Sequence, residues 1–141
     1  TYTKLVQDKI NQDNLTNIFK ILGSVNQDEM RSLYQIADLS VSFPLRAEGF
    51  GRTISESLYS NTPVLAFDYG GVKNQLENLS DLFKVKPHDY QVLPEKIEIL
   101  LNLNEDQKKG VLEEAQLIIE KKFSKINMLN QYMELYESVK S

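Results

Sequence analysis

Apolar residues recur along the chain in short stretches, and the spacing within each stretch predicts its structure. Residues 2–10 carry apolar positions at helical spacing and are predicted to form a short helix. The apolar run at residues 18–22 stops at Gly23, and its length favours a buried strand over a helix. Asn26 followed by Glu29 is typical of a capping box, so a second helix is predicted to begin there.

The middle of the chain alternates between predicted strands and helices. Residues 39–43 alternate apolar and polar side chains, and residues 64–67 form a second apolar run after a proline. Between them, residues 53–61 place apolar side chains at i and i+4, as on one face of a helix. Residues 83–85 are a candidate third strand. This alternation predicts an α/β fold with a Rossmann-like parallel sheet flanked by helices.

From residue 93 the pattern is helical to the end of the chain. Pro94 suits a first helical turn, and Asn104 suits a helix cap. A length of 141 residues is typical of one domain, so residues 1–141 are expected to share a single core and to end in helices over residues 93–141.

Composition narrows the possible partners. The net charge is −4 and basic residues form no stripe, so we expect no nucleic acid partner. No stretch approaches the roughly 20 apolar residues of a membrane span, and the first residues lack the pattern of a signal peptide. The chain has no cysteine and one histidine, His88, so thiolate chemistry and His- or Cys-based metal sites are not expected.

Candidate chemistry is concentrated in residues 47–71, which hold four of the six glycines. Gly49 and Gly51 allow positive φ and let a ligand approach the backbone. The helix predicted to follow them has free N–H groups at its start, and such a helix start attracts an anion. The sequence therefore predicts an anion-binding loop here.

Two acids flank this loop. Glu56 lies eight residues after Glu48, and eight helical residues would rise about 12 Å, so the two carboxylates cannot share a proton. They could instead accept hydroxyls at opposite ends of an elongated ligand whose charged centre lies on the helix start. A sugar, a diphosphate and a ribose in line would fit that arrangement.

These residues together resemble the signature of retaining glycosyltransferases of the GT-B fold, family 4 (glycosyl transferases group 1), in its C-terminal donor-binding domain. The resemblance extends over nearly the whole chain. The matching motifs are Leu22-Gly23-Ser24-Val25, Glu48-Gly49-Phe50-Gly51, Glu56, Pro63-Val64, Gly70-Gly71 and Phe123-Ser124.

The resemblance implies a role for each site residue. Glu48 would be the catalytic-site acid, contacting hydroxyls of the donor sugar as a positioning residue and not as a nucleophile. Glu56 would accept hydrogen bonds from the ribose, and Gly23 and Val25 would line the base. The residues that would hold the sugar and the diphosphate are Gly49, Phe50, Gly51, Arg52 and Thr53.

The resemblance also implies a mechanism and a missing part. The leaving phosphate of a UDP- or GDP-linked sugar would help to deprotonate the acceptor, with neither metal nor cofactor required. The family's Arg and Lys pair, which neutralises the diphosphate, would precede Thr1, as would the acceptor-binding N-terminal domain. The chain is therefore expected to be incomplete at its N-terminus and inactive alone. We expect it to be cytoplasmic, with attachment of the full-length protein to the inner face of a membrane left open.

Departures from the family keep other interpretations open. Asn74 stands where the family has Glu, and Leu45 stands where Ser is common. A non-catalytic nucleotide-binding or regulatory module, or a plain interaction domain, would also fit the fold. Glu56 could close a capping box opened by Thr53, and Arg52 could be an ordinary solvated side chain.

Overall fold

The computed structural model describes residues 1–140, with only the backbone of the last one. Its contacts divide the chain into two compact units, residues 1–30 and the remainder from Arg31. The helices are α1 (Tyr2–Gln12), α2 (Gln27–Ile36), α3 (Arg52–Tyr59), α4 (Val72–Leu76), α5 (Leu93–Leu101), α6 (Glu105–Phe123) and α7 (Lys125–Lys140), and the strands are β1 (Ser40–Ser42), β2 (Val64–Phe67) and β3 (Lys84–Val85).

The first unit contains α1 and the start of α2, both as predicted. The backbone of Asn26 donates to the Glu29 carboxylate at 2.7 Å and the backbone of Glu29 donates to the Asn26 side chain at 2.9 Å, which confirms the capping box. The strand predicted at residues 18–22 is wrong. The first two backbone N–H groups of this run donate to the Leu15 carbonyl in a turn, and no described strand pairs with the rest, which is exposed.

The second unit is built on the predicted parallel sheet, with strand order β1-β2-β3. Ser40 pairs with Val64 across β1 and β2, and Ala66 pairs with Lys84 across β2 and β3. All four residues of β2 are fully buried, as expected for a central parallel strand covered on both faces. Phe83, predicted as the start of β3, belongs instead to a 3₁₀ turn directly before it.

The core lies between the sheet and the helices that pack on it. Helices α3 and α4 pack against β2, and α6 packs against α3. Ile54 and Leu58, the predicted apolar face of α3, are completely buried. Because α3 and α4 follow β1 and β2 in sequence, the core fixes where the loops that lead into both helices lie.

Helices α5 and α6 begin where the sequence predicts. Pro94 lies in the first turn of α5, and Asn104 with Gln107 forms a complete capping box at the start of α6. In α7 no described side chain is buried. Across residues 1–140, every helix is too short or too polar to cross a bilayer.

Candidate functional site

Two loops meet at one end of the sheet. Residues 48–51, the glycine loop, lie in the connection from β1 to α3, and Gly70 with Gly71, the diglycine turn, lies between β2 and α4. Because β1 and β2 are parallel neighbours, segments that follow them share an edge, which is where open α/β sheets bind ligands. The N–H of Gly71 donates to the carbonyl of Glu48 at 2.9 Å, so the glycine loop and the diglycine turn touch.

The contact between the glycine loop and the diglycine turn leaves no space for side chains. A Cβ on Gly71 would overlap the carbonyl group of Gly49. Gly70 has a φ of +59°, and a Cβ there would lie 2.7 Å from the Cβ of Ala47. Glycine is thus required twice, so that the two backbones can touch.

Gly51 is the residue from which α3 begins. It has φ 72° and ψ 56°, the left-handed conformation that glycine adopts without strain, and no described side chain caps the helix start. Thr53 lies inside the helix, so the alternative in which Thr53 and Glu56 form a capping box is wrong. The first N–H groups of α3 remain free to bind an anion, as helix dipoles favour.

The carboxylate of Glu48 lies over this helix start. Its Oε1 is 3.1 Å from the position that a Cβ on Gly51 would occupy. Glu48 is half-buried, and within the described chain its carboxylate has neither an ion pair nor a hydrogen bond. A partly desolvated carboxylate without a protein donor is available to accept hydroxyl groups from a ligand.

Glu56 lies on the flank of α3, five residues beyond Gly51. Arg52 extends along the helix so that its Nη2 is 2.8 Å from Oε1 of Glu56. The pKa of the Tyr34 phenol is raised, chiefly by burial and secondarily by the charge of Glu56. Because of its ion pair with Glu56, the guanidinium of Arg52 is directed along the helix, and both side chains keep contact with solvent.

Gln75 of α4 is a site residue that the sequence does not reveal. Its side chain is 1% exposed, and its Nε2 donates to the carbonyl of Phe50 and, at 2.9 Å, to that of Gly51. Its Oε1 accepts from the hydroxyl of Ser55. The polar residues that precede Gln75 in α4 are typical of an exposed helix surface, so no sequence signal marks this glutamine as buried.

The end of α6 supports the same loop from another side. The rings of Phe50 and Phe123 meet edge to face, with centroids 5.3 Å apart. Lys122 donates to the carbonyl of Asn74 at 3.0 Å and to the carboxylate of Glu77 at 2.9 Å. These bonds attach α6 to the end of α4, so the glycine loop is held by both helices.

The two residues assigned to the base lie in the first unit. Gly23 is exposed, has a φ of +74°, and would place an added Cβ in open space. Val25 is half-buried and lies just before the capping box of α2. Both belong to a short segment without regular structure.

A concave region lies beside β3. It has a volume of about 400 Å³, and its lining includes Asp68, Lys84 and Lys96. Oδ1 of Asp68 is buried without a hydrogen-bond partner among the described residues. No group of three or more His, Asp or Glu side chains in the described chain is arranged to hold a metal ion.

Solved structures of glycosyltransferases share this fold. A glycosyltransferase from Rickettsia africae superposes with a TM-score of 0.83 and 30% identity over 98% of this chain. Anabaena Alr3699/HepE, solved with UDP-glucose, superposes with a TM-score of 0.80 and 27% identity over 97% of the chain. The chain spans about a third of each structure, 36% of the first and 37% of the second.

The C-terminal domain of LpcC, a group 1 family protein from Francisella tularensis, shares the fold at 21% identity, with a TM-score of 0.69 over 86% of this chain and 62% of that one. The parallel sheet and its helices thus match the C-terminal domains of GT-B glycosyltransferases. No curated protein sequence matches significantly. The family model for glycosyl transferases group 1 matches residues 1–116. The chain belongs to the glycosyl transferases group 1 family.

Proposed function

We propose that the chain binds the nucleotide-sugar donor of a retaining glycosyltransferase of family 4, a hexosyltransferase that moves a sugar from a UDP- or GDP-linked donor to an acceptor. One observation carries the proposal. An uncapped helix start follows the glycine loop and lies beside the Glu48 carboxylate, which has no protein partner among the described residues. This arrangement supplies anion donors and a hydroxyl acceptor within one short segment.

The proposed donor runs along α3. Its diphosphate binds the N–H groups at the start of the helix, where Gly51, Arg52 and Thr53 are the nearest residues. A helix start typically favours an anion by about 0.3–1 kcal/mol when exposed, and by more when partly buried. Binding of UDP-glucose by Anabaena HepE, which has the same fold, supports this donor class.

The two acids bind opposite ends of the donor in this proposal. Glu48 accepts hydroxyls of the sugar, and Glu56 accepts hydroxyls of the ribose. Arg52 pairs with the Glu56 carboxylate and thereby limits its rotation. The base binds at Gly23 and Val25. The positions of Glu48 and Glu56, one before and one within α3, support a ligand that is extended along the helix.

The proposed mechanism uses the same groups during transfer. As the sugar–phosphate bond breaks, negative charge grows on the diphosphate, and the N–H groups at the helix start stabilise that charge. The acceptor oxygen bonds to the anomeric carbon on the face from which the diphosphate leaves, and the departing phosphate oxygen takes the acceptor's proton there, so the configuration is retained. Glu48 holds the sugar in register during this step and forms no bond with it.

The acceptor is proposed to bind outside this chain. The chain covers only 36% of the Rickettsia structure, and transfer requires that donor and acceptor be held together. The 141-residue chain is therefore proposed to bind a donor with a Kd of about 1 mM or weaker and to transfer no sugar by itself. We propose that the reaction takes place in the cytoplasm, where activated nucleotide sugars would be the donors.

Ligand-observed NMR on the 141-residue chain tests the proposal with UDP, UDP-glucose and GDP-mannose as probes. If UDP binds, Glu56→Gln weakens UDP and UDP-glucose alike by about tenfold, since both contain ribose and a charged acceptor is lost. Glu48→Gln weakens UDP-glucose but leaves UDP unchanged, because only the sugar contacts Glu48. With GDP-mannose as the donor, GDP serves as the matching sugar-free probe.

The matched control is Glu113→Gln, which removes an exposed acid of α6 whose carboxylate is 3.8 Å from Lys109. It has no effect on either ligand if the proposal is right. The proposal fails if no probe binds, or if the two site variants behave like the Glu113→Gln control.

A further inference from the structure

Gln75 is a buried polar side chain in an otherwise apolar environment. Its neighbours along α4, Val72 and Leu76, are completely buried core residues. Burying an amide without partners costs free energy, so a buried glutamine persists only where its hydrogen bonds are made. Gln75 makes three, and all three go to the glycine loop or to the first turn of α3.

The direction of each bond follows from the groups involved. The two atoms that face Nε2 are backbone carbonyl oxygens, which can only accept, so the amide nitrogen must lie on that side. The amide oxygen then faces the hydroxyl of Ser55, which donates to it. A single side chain on α4 thus holds the last two carbonyls before α3 and the first turn of α3 itself.

Fixing these carbonyls also fixes the N–H groups of the same peptide units. A trans peptide is planar, and its C=O and N–H point in opposite directions. The carbonyl of Phe50 shares its peptide unit with the N–H of Gly51, and the carbonyl of Gly51 shares its unit with the N–H of Arg52. When Gln75 draws both carbonyls towards itself, both N–H groups point away from it.

We propose that Gln75 is the positioning residue of the donor site, which presets the N–H groups of Gly51 and Arg52 for the donor diphosphate. This inference rests on the proposed function, which assigns these N–H groups to the donor. Without Gln75, the loop must be ordered when the ligand binds, and the ordering cost reduces affinity. Gln75 contacts no ligand in this scheme and acts only through the loop.

The test uses Gln75→Leu, which replaces the amide with an apolar side chain of similar size and loses all three hydrogen bonds. Thr62→Val is its matched control. Thr62 is equally buried, and its hydroxyl donates to the carbonyl of Tyr34. It lies two residues before β2, at the opposite end of the sheet from the glycine loop. Gln75→Leu removes three side-chain hydrogen bonds of a buried residue and Thr62→Val removes one, so both variants should lower the melting temperature.

The first readout needs no ligand. In NMR spectra of the ¹⁵N-labelled 141-residue chain, Gln75→Leu is expected to broaden the amide signals of residues 49–53 and to accelerate their hydrogen exchange. Thr62→Val is expected to leave both as in the wild type.

Gln75→Glu supplies a second variant in case the first does not fold. Its ionised carboxylate faces two carbonyls and should disorder the loop, and acidification should restore order, because a protonated carboxyl can donate to the carbonyl of Gly51.

The second readout is donor affinity, measured with UDP-glucose and GDP-mannose. Gln75→Leu is expected to weaken the probe that the wild type binds by about tenfold, and Thr62→Val by less than about twofold. An ordered loop in the Gln75 variants, or equal loss of affinity in variant and control, would overturn the positioning role. If the wild type binds neither probe, the proposed function fails, and the ligand-free measurement alone decides whether Gln75 orders the loop.

Discussion

At the scale of single residues, the site depends on side chains that are absent as well as on those that are present. The glycine loop and the diglycine turn touch through their backbones, and the bond from Gly71 to the carbonyl of Glu48 forms only because the two approach so closely. The Glu48 carboxylate is then carried to the helix start by the backbone that this contact fixes. The glycines of the turn and the carboxylate of Glu48 thus form the site together.

Replacing Gly71 with alanine tests this dependence. An added Cβ overlaps the Gly49 carbonyl, which is backbone and can move only if the loop moves, so Gly71→Ala should cost about 1–3 kcal/mol of stability and most of the donor binding. Gly110→Ala is the matched control. Gly110 lies inside α6 with open space around its added Cβ, so alanine there should stabilise the helix by about 1 kcal/mol. Thermal unfolding and donor titration of both variants measure these effects. A Gly71→Ala protein with a wild-type melting temperature would contradict the need for glycine at this position.

At the scale of elements, α6 acts as a brace for the loop. It packs against α3, its last residue contacts Phe50, and Lys122 holds the carbonyl of Asn74 and the carboxylate of Glu77 at the end of α4. Helices α3 and α4, which lead away from the site, are therefore joined through α6. The ion pair in this brace is accessible to titration.

The Glu77 and Lys122 pair predicts a pH dependence. The hydrogen bond from Lys122, and then its charge, lower the pKa of Glu77 below its ordinary value of 4.5. A carboxyl whose pKa is lower in the folded state stabilises the fold above its ordinary pKa, and that contribution is lost as the pH falls through the lowered value. Wild type should therefore be more stable than Glu77→Gln at pH 7 and should lose this advantage well below pH 4.5.

A double-mutant cycle with Lys122→Gln, followed by thermal unfolding at several pH values, isolates the pair. In the Lys122→Gln background, the pH-dependent part of the Glu77→Gln effect should shrink to the smaller contribution of the Lys73 and Lys84 charges, which also lower the pKa of Glu77. Because Glu77 is an exposed side chain, the coupling should also shrink on addition of salt. A pH-independent difference between wild type and Glu77→Gln would mean that Lys122 does not act on Glu77 through its charge.

The sequence predicts those elements whose signals are local. Alternation and proline placement mark β1 and β2, and the caps at Asn26 and Asn104 mark helix starts, because each signal involves residues within one turn or one strand. The meeting of the glycine loop and the diglycine turn also follows from sequence, because the ends of neighbouring parallel strands share an edge.

Features that depend on distant partners are not readable from the sequence. Residues 18–22 have the composition of a strand, but a strand also needs a neighbour, and the first two N–H groups of this run bond instead to the carbonyl of Leu15. The polar pattern around Gln75 indicates an exposed helix face, since only the tertiary fold places the Phe50 and Gly51 carbonyls next to it. Helix α3 starts at Arg52, directly after Gly51 and one residue before Thr53. This start also depends on a distant partner, because Gly51 lies against Val72 of α4.

At the scale of the whole molecule, the buried core ends before the last helix. Residues of α6 as far as Ile119 belong to the core, whereas Ile126, Tyr136 and Val139 of α7 are 72%, 66% and 78% exposed. The family match likewise ends at residue 116, within α6. The stability of the second unit should therefore come from the elements that precede α7.

Shortening the chain after Ser124 should leave that core intact. The removed segment buries no described side chain, and its link to α6 consists mainly of exposed or half-buried contacts such as the bond from Asn127 to the Lys122 carbonyl at 2.8 Å. The melting temperature should fall by less than about 4 °C, which corresponds to at most about 1 kcal/mol. Ile119→Ala in the full chain, a cavity at a residue that is 1% exposed, should instead cost about 2–5 kcal/mol. Circular dichroism melts of both proteins make the comparison, and a shortened chain that unfolds as readily as Ile119→Ala would show that α7 belongs to the cooperative core after all.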